Sequence, residues 1–157
     1  MILIIIAICC LFVVSACEAS YPDYDETPLV EFVSAATSVD ESDKKVDFTF
    51  ALYDGDGDIG LTSKDTVAPF VDSFQQNFYA VVHYVHDGDT TELPYNFSYR
   101  IPILRESGNN KFIKANVTVK MNFAKSVFLY DSVLFYYYVY DRKLHKSNVD
   151  TSGLIVW

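Results

Sequence analysis

The sequence predicts an all-β domain, an immunoglobulin-like antiparallel sandwich of two sheets with about seven strands. Aromatic residues make up 16% of the 157 residues, with twelve Tyr and twelve Phe, and aromatic side chains suit the pleated, half-buried surface of a sheet. Several runs alternate apolar and polar residues, and turn-forming residues separate these runs at short intervals. Such spacing is typical of a sandwich, and a small β-barrel is the alternative.

Seven runs are the candidate strands, because most of them show the two-residue period that turns one face of a strand toward a core. The run at 46–53 is the clearest, with Phe48 and Phe50 on one face and Asp47 and Thr49 on the other. In immunoglobulin lettering this run is strand B, and the run at 132–141 is strand F. The predicted strands are 29–35, 46–53, 78–86, 95–104, 112–121, 132–141 and 154–157, with a long loop at 54–73.

The N-terminal 16 residues are typical of a secretory signal peptide. Their apolar run is shorter than the about 20 residues that a membrane span needs. It ends in VSAC at residues 14–17, which resembles a bacterial lipobox, so we expect cleavage after residue 16 and lipid on Cys17. A plain secreted protein or an N-terminal signal anchor is the alternative. Residues 17–28 are then the lipidated cysteine and an acidic tether, and residues 29–157 form the β-sandwich domain.

Composition and motifs argue against several classes of function. The net charge of -9 leaves no basic face that could neutralise nucleic-acid phosphates, and it argues against adhesion to an anionic membrane by charge. The sequence contains no GxSxG, HExxH or P-loop pattern. We therefore expect no enzyme activity, and a small hydrolase that uses loop carboxylates is a remote alternative.

The segment DGDGDIG at residues 54–60 predicts a calcium site. Its aspartates follow the spacing of the first oxygen ligands in an EF-hand loop, and calcium prefers such closely spaced oxygens. It is not an EF-hand, since Ile59 takes the place of the required glycine and Gly60 comes one residue late. A solvated turn without metal is the alternative. The candidate calcium ligands are Asp54, Asp56, Asp58, Gly60, Asp65 and Asp141.

The segment DRKLHKSN at residues 141–148 is expected beside this acidic loop. The B–C and F–G loops of an immunoglobulin-like sandwich meet at one end. Asp141 would then add an oxygen to the calcium site. Arg142 could instead pair with one of the aspartates and balance the loop without a cation, so two interpretations of the acidic loop remain open.

Strand F carries three tyrosines on one face, at Tyr136, Tyr138 and Tyr140. The opposite face of that strand is the core face. Exposed tyrosines suit contact with a ligand or partner, because the ring is rigid and its hydroxyl is polar, and Arg142 lies next to them in the chain. The alternative is a second layer of packing, or a sheet face covered by the long loop at 54–73.

Together these segments resemble small lipoproteins of the phylum Bacteroidota. The resemblance covers most of the mature chain and is carried by ETPLVEF, FTFALYDGDGDIGL, YRIPIL and DRKLHKSN, in that order. It implies a lipid anchor in the outer membrane, on the periplasmic face or the cell surface, and no established enzyme activity. We expect a non-catalytic accessory or binding subunit of an outer-membrane assembly, stabilised by calcium. A surface module that captures a glycan or a peptide on its tyrosine face is the alternative.

Overall fold

A computed structural model describes residues 24–86, 88–104 and 112–157 of the chain. The predicted signal peptide, Cys17 and most of the tether lie outside these residues. The described part contains no helix that is both long and apolar enough to cross a membrane. Its elements are β1 (Leu29–Val39), β2 (Asp43–Asp54), a 3-10 turn (Asp72–Phe74), β3 (Phe78–His86), β4 (Asp89–Tyr99), β5 (Ile113–Ala124), β6 (Ser132–Val139), β7 (Asp150–Thr151) and β8 (Ile155–Val156).

The strands form two antiparallel sheets. One has the order β1-β2-β5, and the other has the order β4-β3-β6-β7, with β8 also paired to β6. In immunoglobulin lettering these sheets are A-B-E and C′-C-F-G, with G divided between β7 and β8. The prediction of an all-β, two-sheet sandwich is confirmed, and within the described residues the sheets do not close into the alternative barrel.

The core lies between the sheets and is centred on Phe48 of β2. Its ring lies 4.8 Å from the ring of Tyr137 and 5.6 Å from that of Phe135, both in edge-to-face geometry. The alternation predicted for β2 is confirmed, because its inward side chains are fully buried. Burial of each such side chain stabilises the folded state by about 1.5–3 kcal/mol. The four together therefore fix which face of β2 points inward. These inward side chains are Val46, Phe48, Phe50 and Leu52.

The predicted strand at 95–104 is wrong at both ends. β4 begins at Asp89 and ends at Tyr99. Arg100 leaves the sheet because its guanidinium donates hydrogen bonds to the main-chain oxygens of Thr62, Asp65 and Gln75, which ties this segment to the loop after β2. The two-residue strand β7 is an element that the sequence did not predict.

Side chains that follow β6 in the chain join β1 to the second sheet. Asn148 accepts a hydrogen bond from the Val30 main-chain N–H at 2.8 Å, and its amide donates to the Val30 carbonyl at 2.9 Å. Asp150 accepts from the Phe32 N–H at 2.7 Å. The Tyr137 hydroxyl also donates to Asp150, at 2.9 Å. These polar groups close the corner of the sandwich where β1 meets β7.

Candidate metal centre

The strand period of β2 places a carboxylate at the end of the core. Leu52 points inward, Tyr53 is only half-buried, and Asp54, the last residue of the strand, again points inward and is 0% exposed. A buried carboxylate is costly unless it is paired or binds a metal. The sequence signal was therefore present, since the alternation of 46–53 needed only one more step to predict a buried Asp54.

Three carboxylates converge at this point. One oxygen from each of Asp54, Asp56 and Asp58 lies within 4.8 Å of the others. Two oxygens bound to one calcium ion are at most about 5 Å apart, because each Ca–O distance is about 2.3–2.6 Å. The spacing of the three carboxylates therefore fits a single cation of this size.

Two oxygens of this cluster have no hydrogen-bond donor. Asp54 accepts one hydrogen bond through Oδ2, from the Ile59 main-chain N–H at 3.2 Å. Asp54 Oδ1 and Asp56 Oδ1 are buried and have no hydrogen-bond partner among the described residues. Buried polar atoms in native proteins nearly always have a partner. Two such acceptors, on carboxylates that lie this close together, make the cluster a candidate cation site.

The electrostatics of the cluster agree with its geometry. Burial, reinforced by the charges of Asp56 and Asp58, raises the pKa of Asp54 to about 7. Burial and the nearby charge of Asp141 also raise the pKa of Asp58, although Asp58 Oδ1 accepts a hydrogen bond from the Arg142 main-chain N–H at 3.3 Å. Ionised carboxylates are therefore disfavoured here unless a cation compensates them.

Asp65, a predicted calcium ligand, lies with Arg142 instead. The guanidinium donates to both carboxylate oxygens at 2.9 Å, a two-pronged geometry that is among the strongest of protein hydrogen bonds. This contact holds the pKa of Asp65 well below its usual range. Thr62 adds a main-chain N–H donor at 2.6 Å. Arg142 thus balances Asp65, and the cluster receives only the main-chain N–H of that arginine.

Asp141 and Gly60, the other predicted ligands, also have separate roles. Asp141 is buried, and His145 engages both of its oxygens, through the main-chain N–H and ring Nδ1, each at 2.8 Å. Gly60 has φ +106, and a Cβ there would lie 2.4 Å from the Pro102 carbonyl oxygen. Gly60 therefore permits close packing of two loops, and the structure brings together three of the six candidate ligands.

Sequence reasoning missed Lys143 and the end of the tether. The Lys143 ammonium lies 2.5 Å from Asp56 Oδ2 and 3.2 Å from Glu26 Oε2. Its pKa is raised by these two carboxylates. The DRKLHKSN segment was a weak signal for this contact, because the loop end was expected to bring it near the aspartates. The sequence contained no signal for Glu26.

The predicted tyrosine face is a half-buried layer. Tyr138 and Tyr79 stack with ring centroids 5.3 Å apart, and Tyr140 meets both rings edge-on. The Lys146 ammonium lies 3.8 Å from the Tyr138 ring centroid, and Phe74 packs edge-on against Tyr140. Neighbouring side chains therefore contact both Tyr138 and Tyr140.

Tyr136 continues this layer along strand β6. Its ring meets the ring of His83 edge-on, with centroids 4.8 Å apart. Tyr136 is half-buried, as are Tyr138 and Tyr140. Tyr79 and His83 belong to β3, the neighbouring strand of the same sheet, so these rings pack side by side on its outward face. Phe74 of the 3-10 turn covers part of Tyr140.

No protein-family model, curated protein or solved structure matches this chain. The kind of ion that suits the site is therefore inferred from its donor atoms. An all-oxygen donor set suits hard cations such as calcium and magnesium, and the described cluster includes no imidazole.

Proposed function

We propose that this protein is a non-catalytic, lipid-anchored accessory or binding subunit of an outer-membrane assembly, with one calcium ion at the loop end of its sandwich. The observation that supports the calcium site is the pair of buried, donor-free oxygens on Asp54 and Asp56 beside the third carboxylate of Asp58. The lipid anchor and the location, on the periplasmic face or the cell surface, rest on the VSAC segment at residues 14–17 and on the resemblance to Bacteroidota lipoproteins.

Calcium fits this site better than magnesium does. Calcium accepts six to eight oxygens in flexible geometry, and magnesium demands near-ideal octahedral geometry at shorter distances. The cluster supplies three carboxylates from alternate residues, one at the end of β2 and two in the loop that follows, and waters would complete the shell. The ion would hold the loop after β2 beside the F–G segment, where Asp56 already contacts Lys143.

The contacts of the Asp141–His145 pair favour a structural role over that of a serine hydrolase. The Asp141–His145 contact is the carboxylate–imidazole pair that hydrolases use to activate a hydroxyl. Ser147, two residues further on, donates its hydroxyl proton to the Asn148 carbonyl oxygen at 2.7 Å and accepts from the Val139 N–H at 3.0 Å. Both hydrogen bonds of that hydroxyl go to main-chain groups, so it is not available as a nucleophile for the Asp141–His145 pair.

A glycan- or peptide-binding tyrosine face remains the second candidate, with less support. Sugars stack on the open faces of aromatic rings, and Tyr79 and Lys146 already contact the Tyr138 ring. Retention of the full chain on polysaccharide beads, lost on Tyr136→Ala or Tyr138→Ala, would move this candidate to first place.

Thermal melting tests the calcium site. Calcium at about 100 times its dissociation constant should add roughly 2.7 kcal/mol to the free energy of unfolding, and a chelator should reverse the gain. Asp56→Asn should lose the response. Asp47→Asn is the matched control, because Asp47 pairs with Lys120 on the outward face of β2 and should keep the response. If calcium does not change the melting temperature of the unmodified chain, the site is excluded.

The anchor and the partner need separate experiments. Cys17→Ser should abolish labelling by an azido fatty acid and move the protein from the membrane fraction to the soluble fraction, and persistent labelling would contradict the anchor. For the assembly, an affinity-tagged full chain should co-purify from detergent-solubilised membranes with a defined outer-membrane protein in fixed stoichiometry. Recovery of the chain alone, under detergent conditions that keep known outer-membrane complexes intact, would count against an accessory subunit.

A further inference from the structure

The end of the predicted tether is seated on the acidic loop. The Gly55 main-chain N–H donates to the Asp25 carbonyl oxygen at 2.8 Å. The ring of Tyr24 packs against the ring of Tyr53, with centroids 5.4 Å apart. Residues 24–28, which the sequence assigns to the tether, are therefore part of the folded unit.

The close contact of Tyr24 and Asp25 with position 55 requires a glycine there. A Cβ at this position would lie 2.1 Å from the carbonyl oxygen of Tyr24 and 2.6 Å from that of Asp25. A Cβ does not approach another non-bonded heavy atom this closely, so an alanine would push the tether away. Gly55 does not belong to the residues with positive φ, so its own backbone conformation accepts an alanine. The contact with the tether alone explains the missing side chain.

The seat and the carboxylate cluster share one short segment. Gly55, which carries the tether, lies between Asp54 and Asp56. Asp56 takes part in both arrangements, since its carboxylate belongs to the cluster and its Oδ2 contacts Lys143. Lys143 in turn contacts Glu26 of the tether. A group that fixes the Asp56 carboxylate thus also fixes the contacts that hold the tether.

We propose that calcium at the Asp54–Asp56–Asp58 cluster clamps residues 24–28 onto the domain. This inference rests on the calcium site proposed above. A cation removes the mutual repulsion of the three carboxylates and immobilises the backbone on both sides of Gly55, which favours the seated tether. Coupling between two binding events is reciprocal, so the seated tether also strengthens calcium binding.

The clamp sets how far the domain reaches from its anchor. If the lipid is on Cys17, the released tether of residues 17–28 spans at most about 40 Å at roughly 3.3 Å per residue. With residues 24–28 held on the domain, segment 17–23 spans at most about 23 Å at the same rise per residue. Calcium would therefore draw the domain toward the membrane, with its loop end nearest the anchor.

Chymotrypsin offers a direct assay, because it cleaves after tyrosine. The Tyr24–Asp25 bond reports release of the tether, and the bond after Tyr21 resists cleavage because Pro22 follows it. The full chain, purified in detergent, is digested in calcium or in chelator and followed by mass spectrometry, with a short peptide substrate as the control for protease activity. Calcium should slow cleavage at Tyr24 at least about fivefold, the lower end of typical coupling.

Two variants separate the clamp from the calcium site. Gly55→Ala should be cleaved rapidly at Tyr24 with or without calcium. Glu26→Gln changes the tether and no part of the carboxylate cluster, and it should weaken calcium binding by a measurable factor in isothermal titration calorimetry. Glu41→Gln, an exposed position between β1 and β2, is the matched control and should change neither quantity. Because Glu26 is exposed, the second variant tests the inference even if Gly55→Ala does not fold.

The outcomes distinguish the two proposals. If the unmodified chain binds calcium in the calorimeter but is cleaved at Tyr24 equally fast in calcium and in chelator, the clamp is wrong and the calcium site stands. If the unmodified chain does not bind calcium, both proposals fail. Unchanged calcium affinity in Glu26→Gln would also overturn the clamp.

Discussion

Replacement of Asp54 by asparagine should stabilise the calcium-free protein at pH 8. The raised pKa means that the folded state holds the Asp54 proton more tightly than the unfolded state does. Stability from this group is therefore full at low pH and is lost as the pH rises from about 4, near the ordinary carboxyl pKa, through about 7. An amide does not ionise, so the variant avoids this loss. Its NH₂ group can also donate to the neighbouring carboxylates of Asp56 and Asp58.

The size of the effect follows from the pKa. The pKa of Asp54 rises from 3.8 to about 7, and each pKa unit corresponds to about 1.4 kcal/mol, so ionisation costs the folded state up to about 4 kcal/mol. Asp54 is fully buried, so solvent screens this cost little. For a domain of this size, 1 kcal/mol shifts the melting temperature by about 2–4 °C. We expect the variant to melt roughly 10 °C higher than the unmodified protein in chelator at pH 8.

Calorimetric melting from pH 4 to 8 is the assay, in chelator and in calcium. The advantage of Asp54→Asn should grow as the pH rises to about 7 and stay constant above it. In calcium at pH 8 the unmodified protein should be at least as stable as Asp54→Asn, because the ion stabilises only the chain that keeps the carboxylate. Asp47→Asn, on the outward face of the same strand, should stay within about 0.5 kcal/mol of the unmodified protein. A variant that is no more stable than the unmodified chain in chelator at pH 8 would refute this reasoning.

Three further substitutions test the fold and its polar contacts. Phe48→Ala should cost about 3–5 kcal/mol in urea unfolding, and a loss below about 1 kcal/mol would show that the core has another centre. Arg142→Ala should cost about 1–3 kcal/mol, because Asp65 loses both guanidinium hydrogen bonds, while calcium affinity by titration calorimetry stays the same; lost affinity would place Asp65 or Arg142 at the metal. Tyr137→Phe should cost about 1.5 kcal/mol through the lost bond to Asp150, and equal urea midpoints would show that this bond contributes nothing.

The parts of the fold that follow from short-range pattern were predictable. The two-residue period of 46–53 identified the inward face of β2 correctly. The expected meeting of the B–C and F–G loops also holds, since Arg142 reaches Asp65 across 77 residues of sequence and Lys143 reaches Asp56 across 87. The pattern of one strand and the known topology of the sandwich were sufficient for both inferences.

The remaining features depend on neighbours that no local pattern specifies. Periodicity gives the direction of Tyr138 but cannot show that Tyr79, from another strand, stacks against it. The division of the acidic residues, with Asp65 on Arg142 and Asp56 on Lys143, depends on how two loops approach each other in space. The contact between the tether and the acidic loop requires a glycine at position 55. The sequence does not reveal this requirement, because a glycine beside aspartates is equally typical of an ordinary turn.

The contacts of Asn148 and Asp150 with β1 also protect the protein against self-association. A strand at the edge of a sheet offers unpaired main-chain groups, to which a strand of another molecule can add. Here the N–H groups of Val30 and Phe32 and the carbonyl of Val30 are already engaged by side chains of the same molecule. The first part of this edge, up to Phe32, is therefore blocked, and a strand of another molecule can pair only with the later residues of β1.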